Sequence, residues 1–156
     1  MRIREARPED FDAIAALTPI VRTDVSRARL VRTAIERDVV LVAEVADAVV
    51  AYGVLRHEFF EQGFLELLYV APGHRRRGIG RALVVELDGR CRTEKLFTST
   101  NESNLPMQAL LAGLGWVPSG RIENLDPGDP ELVYARPPVR EGHGPGPSAS
   151  SGQAGH

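Results

Sequence analysis

A chain of 156 residues, 43% of them hydrophobic, has the length of one domain and enough apolar side chains for a sizeable core, which excludes wholesale disorder. A formal net charge of -2 gives no global pull toward nucleic acid or anionic membrane, and no apolar run is long enough to cross a bilayer. One cysteine, Cys91, excludes an internal disulfide framework, and the charged start is unlike a signal peptide, so a cytoplasmic protein is the default expectation.

Residues 2 to 6 read as a strand. Pro8-Glu9-Asp10 opens a helix to about Leu17, with acidic residues in its first turn, and Pro19 stops it. Asp24 or Ser26 is placed to cap a second helix that turns Val25, Leu30, Val31, Ala34 and Ile35 inward. Val39 to Val45 is a β-branched run that reads as a buried strand. Asp47-Ala48 turns into a strand from Val49 to about Phe59, and Glu61-Gln62-Gly63 turns into another from Phe64 to Val70. Three strands joined by tight turns form an antiparallel meander. A helix over Gly78 to Cys91 follows, then a strand from Leu96 to Ser99, a helix from Pro106 to Leu114, and strands from Trp116 to Ile122 and Glu131 to Ala135. This order predicts an α/β (α+β) fold: a mixed, mostly antiparallel sheet of six to seven strands with about four helices on both faces. The segment from Pro137 to His156 is rich in Gly, Pro and Ser with almost no apolar side chains, and is expected to be disordered, so the folded domain spans residues 1 to 136.

The stretch Arg75-Arg76-Arg77-Gly78-Ile79-Gly80 stands between a strand and a helix. The first amides of a helix lack intrahelical partners and the dipole is positive there, so a glycine-bearing turn at that place builds an anion site. Gly73 and Gly78 have P-loop spacing, but Ile79 and Gly80 stand where a P-loop needs Lys and Ser or Thr. A dinucleotide fingerprint starting at Gly78 and Gly80 would put its third glycine on Leu83. A third pattern fits without a gap: Arg/Gln-x-x-Gly-x-Gly/Ala after a strand ending in Val-x-Pro, here Val70-Ala71-Pro72 followed by Arg75 to Gly80.

That pattern resembles the GNAT superfamily of acyl-CoA-dependent N-acyltransferases. The likeness extends to the opening strand and turn, Met1 to Asp10, and to Asn104 ahead of a helix closing at Leu114-Gly115-Trp116, so it covers roughly residues 1 to 136. The resemblance implies that the amides of Arg75, Arg76, Arg77, Gly78, Ile79, Gly80 and Arg81 hold the pyrophosphate of coenzyme A, with the arginines adding charge. It implies that the strands ending at Val70 and Ser99 splay, that the pantetheine arm pairs with backbone at Leu68, Tyr69 and Val70, and that Asn104 bonds the arm, although a helix cap is a competing role for Asn104. Acetyl-CoA is then a co-substrate, and no metal is expected.

Glu66 is the candidate base. A carboxylate in an apolar strand is costly unless paired or useful, and burial would raise its pKa toward the working pH. Strict alternation puts it on the face of Phe64, Leu68 and Val70. A solvated edge or a structural ion pair is the competing reading. Many relatives carry a tyrosine as general acid where this chain has Leu111, leaving water, Tyr69, Tyr134 or Ser103. Ser99 stands where some relatives that modify protein amino termini carry a glutamate, which argues against that acceptor. Cys91, His57 and His74 read as structural or exposed residues, and the acidic run Glu123, Asp126, Asp129 and Glu131 as a solvated loop that could also draw a cationic amine.

The expected activity is therefore acetyl transfer from acetyl-CoA to a primary amine of a small molecule or peptide, by direct attack in a ternary complex, with homodimers possible as in many relatives. The substitution at Leu111 motivates an alternative, an acyl-CoA-binding regulatory module without turnover, and a third reading is an interaction domain that kept only the fold.

Overall fold

The computed structural model describes residues 1–138. The expected disorder of the tail therefore falls, beyond Pro138, outside the described residues.

Seven strands form one sheet. β1 (Arg2–Glu5), β2 (Val39–Val45), β3 (Ala48–Phe59) and β4 (Gln62–Val70) pair antiparallel in succession. β4 then runs parallel to β5 (Leu96–Asn101). The last hairpin, β6 (Val117–Ile122) and β7 (Glu131–Ala135), reverses on itself, so β7 lies beside β5 and β6 is the edge. Five helices accompany the sheet: α1 (Phe11–Leu17), α2 (Pro19–Thr23), α3 (Val25–Arg37), α4 (Ile79–Gly89) and α5 (Leu105–Gly113).

The first helix ends at Leu17 as expected, but a fifth, short helix begins at Pro19, the residue expected only to stop the first. Proline has no N–H to lose at the first helical position and its φ suits a helix start. The cap of α3 is Asp24, whose Oδ1 accepts from the Arg27 amide at 3.1 Å, a contact worth about 1 kcal/mol. The helix read over Gly78 to Cys91 is shorter, and the strand read as Leu96 to Ser99 is longer by two residues. Both hairpin turns sit one residue earlier than expected. Ala46-Asp47 and Phe60-Glu61 occupy the left-handed region, with φ of 52° and 65° in each pair. That geometry matches the twist of a two-residue hairpin, yet none of the four residues is the glycine that normally announces it.

Two cores flank the sheet. Val40 and Val42 of β2 point toward Phe11, Ile14 and Val31 of the α1–α3 layer, while Leu41 and Ala43 point toward Leu83 and Leu87 of α4. Covering on both faces is why the β2 sequence is a continuous apolar run rather than an alternating one. Arg4 ties the amino-terminal elements together: its two Nη atoms meet both oxygens of Asp10 at 2.8 and 3.0 Å, and Nη2 meets Glu44 Oε2 at 2.9 Å. The Arg4 hydrogen bonds hold the Asp10 carboxyl below the usual carboxylate range.

Candidate active site

β4 and β5 pair only over Gly63–Leu65 and Leu96–Thr98. Thr98 Oγ1 donates to the Leu65 carbonyl at 2.9 Å at the end of the paired stretch. Beyond it the strands part, β4 staying with β3 and β5 with β7. On the α4/α5 side this parting opens into a cleft of about 620 Å³. The cleft reaches from Leu68, Tyr69 and Val70 on β4, past Arg75, Arg76, Gly78, Ile79, Gly80 and Arg81, to Asn104 at the head of α5. Ten of the eleven residues expected to hold a cofactor thus share one cleft; Arg77 is not on its lining.

The turn before α4 explains how. Arg76 and Gly78 have positive φ, 65° and 81°. This reversal delivers the chain to the helix start with its amides facing outward: among the described residues, no hydrogen bond leaves the amides of Arg76 to Arg81. A Cβ built on Gly78 would meet nothing within 4 Å, so the space before these amides is open. Gly80 has another reason to be small. A Cβ there would lie 3.2 Å from Leu110 Cδ1 and 3.6 Å from Val70 Cγ2, so this glycine lets α5 and β4 approach the first turn of α4. Arg75 does not point into the turn. Its Nε donates to the Val70 carbonyl at 2.8 Å and its guanidinium lies 5.4 Å from the Tyr69 ring, so it fastens the strand end and already engages the Val70 carbonyl. Arg76, Arg77 and Arg81 make no ion pair among the described residues and supply uncompensated charge around the helix start. Asn104 caps α5, its Oδ1 accepting from the Met107 amide at 3.2 Å, and also lies on the cleft.

Glu66 lies on the other side of the sheet. The register shifts at this residue, since Val54 pairs with Leu67 but Leu55 with Leu65. Leu65 and Leu68 therefore both face the α4 core although three residues apart, while Leu67 packs in the α1–α3 core. The bulge corrects the simple alternation: Glu66 shares the α3 side with Phe64 and not with Leu68 and Val70. There its Oε1 sits 3.5 Å from Arg56 Nη1, with the side chain 29% exposed. Burial pushes the Glu66 carboxyl above the usual range, and Arg56 opposes that rise. Glu66 is not on the cleft lining, so the cleft and the carboxylate approach the parting of β4 and β5 from opposite faces.

Leu111 is fully buried in the α4/α5 core and cannot be a vacated acid position open to the cleft. Of the three alternative hydroxyls, Tyr69 lines the cleft as a residue but its ring packs beside Tyr52 on the α1–α3 side, Tyr134 is buried in the core, and Ser103 Oγ is bound to Asp129 Oδ2 at 2.6 Å. The acidic stretch knits the loop: Asp126 takes Asn101 Nδ2 at 2.9 Å, and Glu131 takes Ser99 Oγ at 2.7 Å. Glu123 pairs with Arg121. The donors to Asp126, Asp129 and Glu131 are neutral groups, and among the described residues none of the three joins an ion pair. His57 accepts the Arg92 amide at 3.1 Å through Nε2, and burial lowers its pKa, consistent with a neutral structural histidine. Cys91 lies beside Thr93 and Lys95 with no histidine in contact. No group of three or more His, Cys, Asp or Glu among the described residues could hold a metal, and no helix there is long and apolar enough to cross a membrane.

Sequence reasoning passed over Met107 and Leu110, whose spacing of three on α5 was a legible signal for a shared face. It also passed over Arg56, whose nearness to Glu66 depends on strand register and leaves no trace in the chain order.

No curated protein sequence matches this chain significantly. The family model of the acetyltransferase (GNAT) family matches residues 5–116. A GNAT-family acetyltransferase from Bacillus cereus is 31% identical, with a TM-score of 0.81 over 89% of this chain and 98% of its own. A ribosomal-protein-alanine N-acetyltransferase from Brucella melitensis, 24% identical, superposes with a TM-score of 0.72 over 87% of this chain and 99% of its own. The yncA protein of Salmonella typhimurium, solved with its cofactor acetyl-CoA, is 19% identical and superposes with a TM-score of 0.72 over 90% of this chain and 95% of its own. With its open helix start, parted strands and matching family model over most of its length, this chain belongs to the acetyltransferase (GNAT) family.

Proposed function

We propose that this protein is an N-acetyltransferase that moves the acetyl group of acetyl-CoA to a primary amine of a small molecule or peptide, by direct attack in a ternary complex. One observation carries the reading: the unpartnered amides of Arg76 to Arg81 open on a cleft that leads to the parting of β4 and β5. Those amides and the positive end of α4 suit a diphosphate, and Arg76 and Arg81 add charge-assisted donors. Backbone groups of Leu68 and Tyr69, with Asn104, line the path an extended pantetheine arm would take toward the gap.

The amine enters from the α3 side, where Glu66 accepts its proton directly or through a water. The neutral nitrogen then forms a bond to the thioester carbon as the carbon–sulfur bond breaks; the new amide nitrogen sheds its extra proton to water, and the departing thiolate takes one up from solvent. A raised Glu66 pKa brings the base nearer the operating pH. No covalent enzyme intermediate is invoked, because Cys91 lies in a packed site away from the cleft lining.

Thermal unfolding with and without acetyl-CoA tests the first half. An unchanged melting temperature at saturating ligand refutes the assignment of the cleft. Release of free thiol with a panel of polyamines, amino acids, aminoglycosides and peptides tests the second half. Binding without turnover across the panel would favour a regulatory module over an enzyme.

A further inference from the structure

Glu66 is one of three carboxylates around a single guanidinium. Arg56 of β3 contacts Glu58 Oε1 through Nη2 at 2.6 Å, Asp38 Oδ2 through Nε at 3.4 Å, and Glu66 Oε1 through Nη1 at 3.5 Å. Its side chain is 21% exposed, so the cluster is partly shielded from water. Register makes this meeting: Arg56 pairs with Phe64, Glu66 lies two residues on along the same side of the sheet, and the break in alternation before Leu67 turns Leu68 and Val70 to the opposite, cleft side. We propose that Arg56 is a positioning residue for the reaction: anchored by Asp38 and Glu58, it aims the Glu66 carboxylate toward the β4–β5 gap and sets its proton affinity. This inference rests on the reading of Glu66 as the base.

The geometry favours tuning over locking. A tight two-pronged pair would pin a carboxylate as a permanent anion and remove its basicity. Arg56 instead spends its closest contact on Glu58 and offers Glu66 one nitrogen at the edge of hydrogen-bond range. The charged groups facing Glu66 are Arg56 and Glu58 on β3, Asp38 between α3 and β2, and Arg27 on α3; β5 contributes none. One near cation set against burial and two further anions leaves the Glu66 carboxyl above its usual range while preventing a larger rise.

The test follows the Glu66 carboxyl itself, by 13C NMR titration of glutamate-labelled protein. Loss of the signal in Glu66→Gln makes the assignment. Arg56→Met should raise the midpoint by about one pH unit, a tenfold change in proton affinity, and Arg56→Lys should restore most of it. Glu58→Gln should lower the midpoint, since it removes an anion and frees the guanidinium for Glu66. A midpoint unmoved in both Arg56→Met and Glu58→Gln overturns the proposal even if thermal stability falls, because a purely structural arginine would change stability alone. Should Arg56→Met fail to fold, Glu58→Gln decides alone: a midpoint that does not fall in that variant overturns the proposal. The base reading fails separately: if Glu66→Gln keeps full turnover with the most active amine of the panel, Glu66 is not the base, whatever its midpoint does, and the positioning role falls with it.

Discussion

Replacing Gly78 by alanine isolates the conformation of the turn before α4 from its packing. Gly78 has φ of 81°, and a Cβ there would meet nothing within 4 Å. The cost is therefore all backbone strain, about 1–2 kcal/mol for an L-residue held in the left-handed region. At about 2–4 °C per kcal/mol for a domain of this size, the ligand-free melting temperature should fall by about 2–8 °C. Gly73→Ala is the matched control: it also meets nothing within 4 Å but has no positive φ, and should leave stability nearly unchanged. The functional consequence is read from the acetyl-CoA-induced shift in differential scanning fluorimetry. At a concentration of about 100 Kd the ligand adds about 2.7 kcal/mol to the wild type. If relaxation of the turn tilts the amides of Ile79 to Arg81 enough to weaken binding tenfold, the same concentration adds only about 1.4 kcal/mol, halving the shift. The reasoning is refuted if Gly78→Ala loses ligand-free stability but keeps the whole ligand-induced shift, since the cradle would then not depend on this backbone geometry.

Arg4→Met should cost about 3–5 kcal/mol in denaturant unfolding, because it strands Asp10 and Glu44, which are 10% and 18% exposed at the side chain; a loss below about 1 kcal/mol would contradict the network. The Asp10 pKa is depressed, so its contribution is complete above the ordinary aspartate range and lost as pH falls through the depressed value, and that part of the acid sensitivity should vanish in Arg4→Met. For Glu66 the sign reverses: its raised pKa means that ionisation costs folding free energy as pH rises. Glu66→Gln should therefore raise the melting temperature above the raised pKa, give no gain below about pH 4, and slow turnover at neutral pH, as parallel melting and rate profiles would show. Leu111→Tyr should not restore a general acid: the site is fully buried, so added volume and a hydroxyl should destabilise by about 1–3 kcal/mol without raising the rate, and an accelerated variant would show that α5 can turn this position to the cleft.

The local chemistry of the chain determined the order of elements, the antiparallel meander and the amide-rich turn at Arg75 to Gly80. Each rests on contacts close along the backbone: β-branched runs, a proline at a helix start, glycines ahead of an apolar helical stripe. The added helix at Pro19 and the glycine-free hairpins at Ala46-Asp47 and Phe60-Glu61 were less legible, because residues without a strong turn preference are held there by the strands or helices on either side. Only the tertiary structure decided which way Glu66 faces, that Arg75 turns back onto Val70, that Leu111 belongs to the core, and that Arg56 reaches Glu66. All four depend on strand register and helix packing between segments that the chain order keeps apart or that a single bulge reverses, and one extra residue in β4 is enough to turn Leu68 and Val70 to the face opposite Glu66.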